Sequence, residues 1–241
     1  MSHPARRQLA ENLASVRDRI ATAARAGGRS SDDVRLVAVT KYVDVSIAAE
    51  LLALGHRDLG ESRPQQLWQR AEVPELREAQ WHLIGHLQRN KAARTVSVAS
   101  WIHSIDGLRL LDAVAAEAES QSLSPRRVLL EVNLTGESAK HGFAPEELPP
   151  LCEQLAPRSG VDVCGLMGMS AVDDDESASR SRFARLRELR EDLQRRMAGR
   201  FDLRELSMGM SDDFEAGILE GATLVRIGSL LFEGVEKESE A

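Results

Sequence analysis

Lysine is scarce in this chain. Of 31 basic residues, 27 are arginine and four are lysine, at positions 41, 91, 140 and 237. Where arginine supplies most of the solvated positive charge, a lysine stands out as an amine. Lys41 stands out most, because it directly follows the apolar run Leu36-Val37-Ala38-Val39 and Thr40. An amine at such a strand end can attack a carbonyl carbon and hold it as a Schiff base. Two further segments are suited to an anion. Ser207-Met208-Gly209-Met210-Ser211-Asp212-Asp213 and Arg226-Ile227-Gly228-Ser229 each place glycine and serine where a helix is predicted to begin. Backbone N–H groups and a hydroxyl can converge there on a phosphate. Ser211 and Ser229 could equally cap the helices that follow. Arg226 needs a partner if it points inward, and both Glu131 and a bound ligand are candidates.

These residues must be carried by strands and helices. Strand-forming runs fall at 35–40, 57–60, 80–84, 101–105, 127–133, 162–168, 203–207 and 223–227. Helical spacing lies between them, at 46–54, 108–120, 145–155 and 179–197. Eight strands alternating with helices over 241 residues predict a (β/α)8 TIM barrel, a single α/β domain over 1–241 whose barrel spans about 34–234. An open doubly wound sheet would show a glycine-rich first turn, whereas Lys41-Tyr42-Val43 follows the first strand. An extra N-terminal helix is predicted over about 4–27, ended by Gly27-Gly28, and a disordered acidic tail over about 236–241. In such barrels the chemistry sits at the carboxyl ends of the strands, often with a phosphate held after strands seven and eight.

Composition narrows the function. A net charge of −7 argues against nucleic acid or an anionic membrane as partner. No apolar run is long enough to span a bilayer. Two cysteines, Cys152 and Cys164, and no secretory signal point to the cytoplasm. His82 and His86 are four apart, but on a strand that spacing does not build a metal site, so they are read as structural. Lys91 is read as a surface residue. Lys140, in a polar loop with two glycines, is a candidate lid residue.

Several segments together resemble one family. They are VAVTK at 37–41, GESRPQ at 60–65, WHLIGHLQRNK at 81–91, HSID at 103–106, GLMGM at 165–169, SMGMSDDFEA at 207–216 and VRIGS at 225–229. The chain is similar to the pyridoxal phosphate homeostasis proteins, whose barrel is that of the alanine racemase N-terminal domain. The resemblance implies pyridoxal 5′-phosphate (PLP) as cofactor, held as a Schiff base on Lys41. It implies a phosphate cradle of Ser211, Gly228 and Ser229, with Arg226 facing the pyridine nitrogen. Met208 and Ser62 are expected beside the cofactor. Ser62 stands where the family usually has asparagine. The implied role is to buffer PLP or deliver it to apo PLP-dependent enzymes, with effects on amino-acid balance, from a monomer without established turnover. A PLP-dependent racemase is the alternative. It needs acid–base groups on both faces of a substrate carbon. The single tyrosine, Tyr42, is expected to point away from Lys41, and no second domain is expected beyond the barrel.

Overall fold

Short apolar runs bounded by turns cannot bury both faces alone, so they pair edge to edge and are covered by the helices between them. The computed structural model describes residues 2–137, 141–197 and 199–235. Lys140 and the acidic tail at 236–241 lie outside the described residues. The strands are Arg35–Val39 (β1), Asp58–Glu61 (β2), Gln80–Leu83 (β3), Trp101–Ile105 (β4), Arg126–Val132 (β5), Val161–Gly168 (β6), Glu205–Ser207 (β7) and Leu224–Ile227 (β8). They form a closed barrel in sequence order, and all neighbours are parallel.

The predicted boundaries shift where side chains intervene. β7 begins at Glu205 rather than 203, because the Leu203 N–H is taken by Gln194 Oε1 at 2.6 Å instead of a neighbouring strand. The helix expected over 145–155 is a 3-10 turn at Pro145–Glu147 followed by an α-helix at Leu148–Gln154. Pro149 and Pro150 occupy its first turn, where a missing N–H costs no helical bond. The remaining helices relevant to the site are Phe214–Leu219, after β7, and Ser229–Phe232, after β8.

An N-terminal helix, His3–Ala26, is capped by Ser2 and buries a stripe of Leu9, Leu13, Val16, Ile20 and Ala24. It packs on both of those last helices. Asn12 Nδ2 donates to the carbonyls of Leu231 and Glu233 at 3.0 and 2.8 Å, closing the end of the final helix. The N-terminal helix thus braces the units that carry Ser211, Gly228 and Ser229.

Side chains pointing out of the barrel join those of the helices in one large core. The interior is different. A small apolar group, Val37, Trp101, Leu129, Cys164, Met167 and Leu224, fills only part of it. The rest is polar and fully or almost fully buried, including His82, His103, Ser207 and Arg226. Barrel interiors are normally filled by branched apolar side chains, so this polar column needs an explanation from function. Both cysteines are free and buried. Among the described residues no helix is long and apolar enough to cross a membrane.

Candidate functional site

Lys41 sits half-buried in the turn after β1. Its neighbours fix that turn. The Thr40 hydroxyl donates to Glu61 Oε1 at 2.6 Å, and Arg70 Nε lies 3.0 Å from the same oxygen. Arg70 also donates to the carbonyl of Val43, so the acid at the end of β2 grips the segment on both sides of Lys41. Burial pushes the Glu61 carboxyl up from its ordinary value, while Thr40, Arg70 and Lys41 pull it back. Tyr42 does not point away as its sequence position suggested. Its ring centroid is 4.9 Å from Lys41 Nζ, within cation–π range. The strand's alternation stops at the turn, and two neighbouring side chains can then share a side.

Across the barrel closure, β8 pairs with β1 so that Val37 lies opposite Arg226 and Ala38 opposite Ile227. The loops after β7 and β8 therefore open beside Lys41. Gly209 has φ +94, and a Cβ there would stand 2.8 Å from Phe214 Cα, so this turn is closed to other residues. The turn is tied down by Asp213, which accepts from the Met210 N–H at 2.6 Å and from the Ser170 hydroxyl. Ser211 Oγ accepts from the Gly228 N–H at 3.3 Å, which brings the two loops together. Ser229 is exposed at the start of the last helix, and Ser62 is half-buried just beyond β2. Met208 is a correction. It is fully buried in the outer core, with its N–H on Leu224 O at 3.1 Å, so its side chain offers no surface to a ligand. Ser207 faces inward, and the next residue must face out.

Arg226 is 4% exposed. Its hydrogen-bonding partner is not Glu131: Nη1 donates to Ser207 Oγ at 2.6 Å and Nη2 to Gly168 O at 3.1 Å. Burial lowers its pKa to about 10, against the pull of Asp213 and Glu131. Ser207 in turn lies 2.8 Å from His103 Nδ1, His103 Nε2 lies 3.0 Å from His82 Nδ1, and His82 Nε2 lies 3.0 Å from Asp58 Oδ1. Asp58 also accepts from Arg35 Nη1 at 2.9 Å. Burial lowers the pKa of His82 and drives that of His103 well below the usual imidazole range. Sequence reasoning treated His82 as merely structural and gave Asp58 and Ser207 no role. The available signal was a polar residue at an inward position on each of five strands.

The opposite arc of the mouth is acidic. Glu131, 7% exposed, is pushed up to about 7 by burial and by Asp106, with Arg226 opposing. Asp106 Oδ2 is 3.1 Å from His86 Nδ1 and 3.6 Å from His141 Nδ1. The two imidazoles stack, with centroids 3.9 Å apart and planes 12° from parallel, so His86 pairs with His141 and not with His82. A carboxyl with its folded pKa raised keeps a proton that the unfolded chain gives up, so stability falls as pH rises from about 4.5 through 7. Glu131→Gln is expected to be nearly neutral in stability near pH 4, below both values. At pH 8 it should stabilise by up to roughly 3 kcal/mol, read from urea unfolding at the two pH values.

Comparison with known proteins bears on what this arrangement is. The family model for "Alanine racemase, N-terminal domain" matches residues 8–235. A pyridoxal phosphate homeostasis protein of Pseudomonas aeruginosa is 42% identical over 225 residues, covering 93% of this chain and 94% of its own. This chain belongs to the pyridoxal phosphate homeostasis protein family. A second member, from Aquifex aeolicus, is 38% identical over 92% of this chain and 96% of its own. The structure of PipY from Synechococcus elongatus with PLP bound is 32% identical, with a TM-score of 0.81, over 93% of this chain and 99% of that one. Within this homeostasis-protein barrel, Lys41, Ser62, Ser211, Arg226, Gly228 and Ser229 all lie on the contiguous arc formed by the ends of β7, β8, β1 and β2.

Proposed function

We propose that the chain binds PLP on this arc and acts as a PLP homeostasis protein. Lys41 holds the cofactor aldehyde as a Schiff base. Ser211, Gly228 and Ser229 bind the phosphate, Arg226 faces the pyridine nitrogen, and Ser62 borders the ring. The observation that carries the reading is the pairing of β8 with β1, which sets the Ser-Gly loops and Arg226 beside the strand of Lys41. The donor set fits the group: hydroxyls and a backbone N–H for a phosphate, a primary amine for an aldehyde, and a cation for a ring nitrogen. Further support comes from the PLP-bound PipY relative.

Bound PLP supplies a reactive aldehyde and a ring that withdraws electrons. A guanidinium beside the ring nitrogen disfavours its protonation and so weakens that withdrawal. Holding the cofactor is then favoured over turning over a substrate. The reading includes a monomer in the cytoplasm that buffers PLP and delivers it to apo PLP-dependent enzymes. Purified protein with PLP should show a visible band, and borohydride should fix the label on Lys41 in peptide mapping. Transfer to an apo-enzyme should outpace release into a solution trap. A colourless protein after PLP addition would remove the reading.

A second reading is proton transfer on one face of an amino-acid α-carbon, by the Lys41 amine with the Tyr42 ring beside it on the same side. Deuterium incorporation from solvent into an amino acid, lost in both Lys41→Ala and Tyr42→Phe, would establish it.

A further inference from the structure

With both imidazoles neutral, the buried chain from Arg226 to Asp58 has one direction. A guanidinium holds only donors, so Ser207 Oγ must accept at Nη1. Ser207 keeps a hydroxyl proton that can go to His103 Nδ1, 2.8 Å away, and with both buried imidazoles neutral it must, because Asp58 Oδ1 then requires the His82 proton on Nε2. His103 therefore carries its own proton on Nε2 and donates to His82 Nδ1 at 3.0 Å. His82 in turn carries its proton on Nε2 and donates to Asp58 Oδ1 at 3.0 Å. A group that can only donate stands at one end and a carboxylate that accepts stands at the other, and no link between them conflicts. Burial of both rings favours these neutral forms, in which every link has one donor and one acceptor.

We propose that Asp58, His82, His103 and Ser207 are positioning residues that hold Arg226 charged and fixed in orientation toward the PLP ring nitrogen, linking the barrel base to its mouth. This rests on the PLP reading above. The hydrogen-bond acceptors on Arg226 are a hydroxyl and a carbonyl, and neither is a carboxylate. A carboxylate bound directly would neutralise the guanidinium where the ring meets it. The aligned dipoles of the chain instead stabilise the positive charge and end on a carboxylate, Asp58, which is the first residue of β2 and is also paired with Arg35. No carboxylate is hydrogen-bonded to the guanidinium, Asp213 and Glu131 act on its charge only from a distance, and the two hydrogen bonds hold the side chain in place.

The test has two arms. In the first, 15N NMR of the histidine side chains is recorded on the protein without added PLP. His82 and His103 are expected to be neutral with the proton on Nε2 from about pH 6 to pH 8. Either histidine found charged, or protonated on Nδ1, overturns the proposal whatever becomes of PLP binding. In the second, PLP carrying 15N at the ring nitrogen is added to wild type, Asp58→Asn and His103→Leu. Asp58→Asn keeps the shape of the carboxylate and removes its charge, so it guards against misfolding of the leucine variant. Wild type should show an unprotonated ring nitrogen. Both variants should still be trapped on Lys41 by borohydride, with the ring-nitrogen resonance moved toward the protonated position and affinity for PLP roughly 10-fold weaker in His103→Leu. A ring-nitrogen resonance identical in all three proteins overturns the positioning role and leaves the PLP reading intact. No PLP signal in wild type overturns the PLP reading, and this proposal with it.

Discussion

Lys41→Ala is expected to lose all borohydride-trapped PLP while keeping the wild-type unfolding midpoint within about 1 kcal/mol. The fold should survive because Lys41 is half-buried in a turn held by others: Thr40 and Arg70 on Glu61, and Arg70 on the carbonyl of Val43. None of those contacts uses the lysine side chain. The phosphate and ring contacts proposed for Ser211, Gly228, Ser229 and Arg226 should also survive. The variant should therefore bind PLP reversibly, at least about 10-fold more weakly, or 1.4 kcal/mol, by equilibrium dialysis. Label remaining on the variant after reduction would move the amine elsewhere, and Lys91 and Lys140 would be the positions to map. Glu61→Gln offers a finer probe. It leaves Lys41 in place and loosens its platform, so slower trapping at unchanged final yield is the expected pattern.

The second large effect concerns the frame. Gly165→Ala is expected to destabilise by about 3–5 kcal/mol, a large part of the roughly 5–15 kcal/mol that holds a domain together. A Cβ at Gly165 would stand 1.9 Å from the carbonyl oxygen of Glu205 and 2.6 Å from its carbon. Those are backbone atoms of the paired strand, with Gly165 opposite Glu205 in register, so no side-chain rotation relieves the clash. β7 has only three residues. Displacing it also displaces Ser207 and with it the support of Arg226. Gly107 is the control: it is extended and nothing lies within 4 Å of its added Cβ. Alanine there should cost no more than about 1 kcal/mol as a helix cap. Comparable losses in urea for both variants would contradict the packing argument.

The eight strands were legible because each apolar run is short and bounded by turns, and the barrel followed from their number and alternation. Lys41 and Arg226 were legible as charges set in or just after apolar runs. The chain that supports Arg226 was not. Asp58, His82, His103 and Ser207 come from four strands, and only the register of the closed barrel puts them in line. Met208 was misplaced by a single step of the strand's two-residue alternation, which turns it outward just after Ser207. Tyr42 was misplaced for the opposite reason, since alternation no longer applies once the strand has turned. The acidic arc of Glu131, Asp106, His86 and His141 depends on loops from three strand ends meeting, which spacing along the chain does not encode.

The brace formed by the first helix has a consequence for the order of assembly. Its apolar stripe packs on helices near the far end of the chain, and Asn12 reaches residues more than 200 positions away. β1 likewise waits for β8. Contacts of such separation form slowly and late. During synthesis, Leu9, Leu13, Val16 and Ile20 have no native surface to cover them until the segment around Leu231 has emerged. The strand that carries Lys41 is made early, but the loops proposed to hold the phosphate take shape only when the ring closes. On the proposed PLP reading, a nascent chain would thus present the Lys41 amine without a cradle, and loading with cofactor would mark the completion of folding.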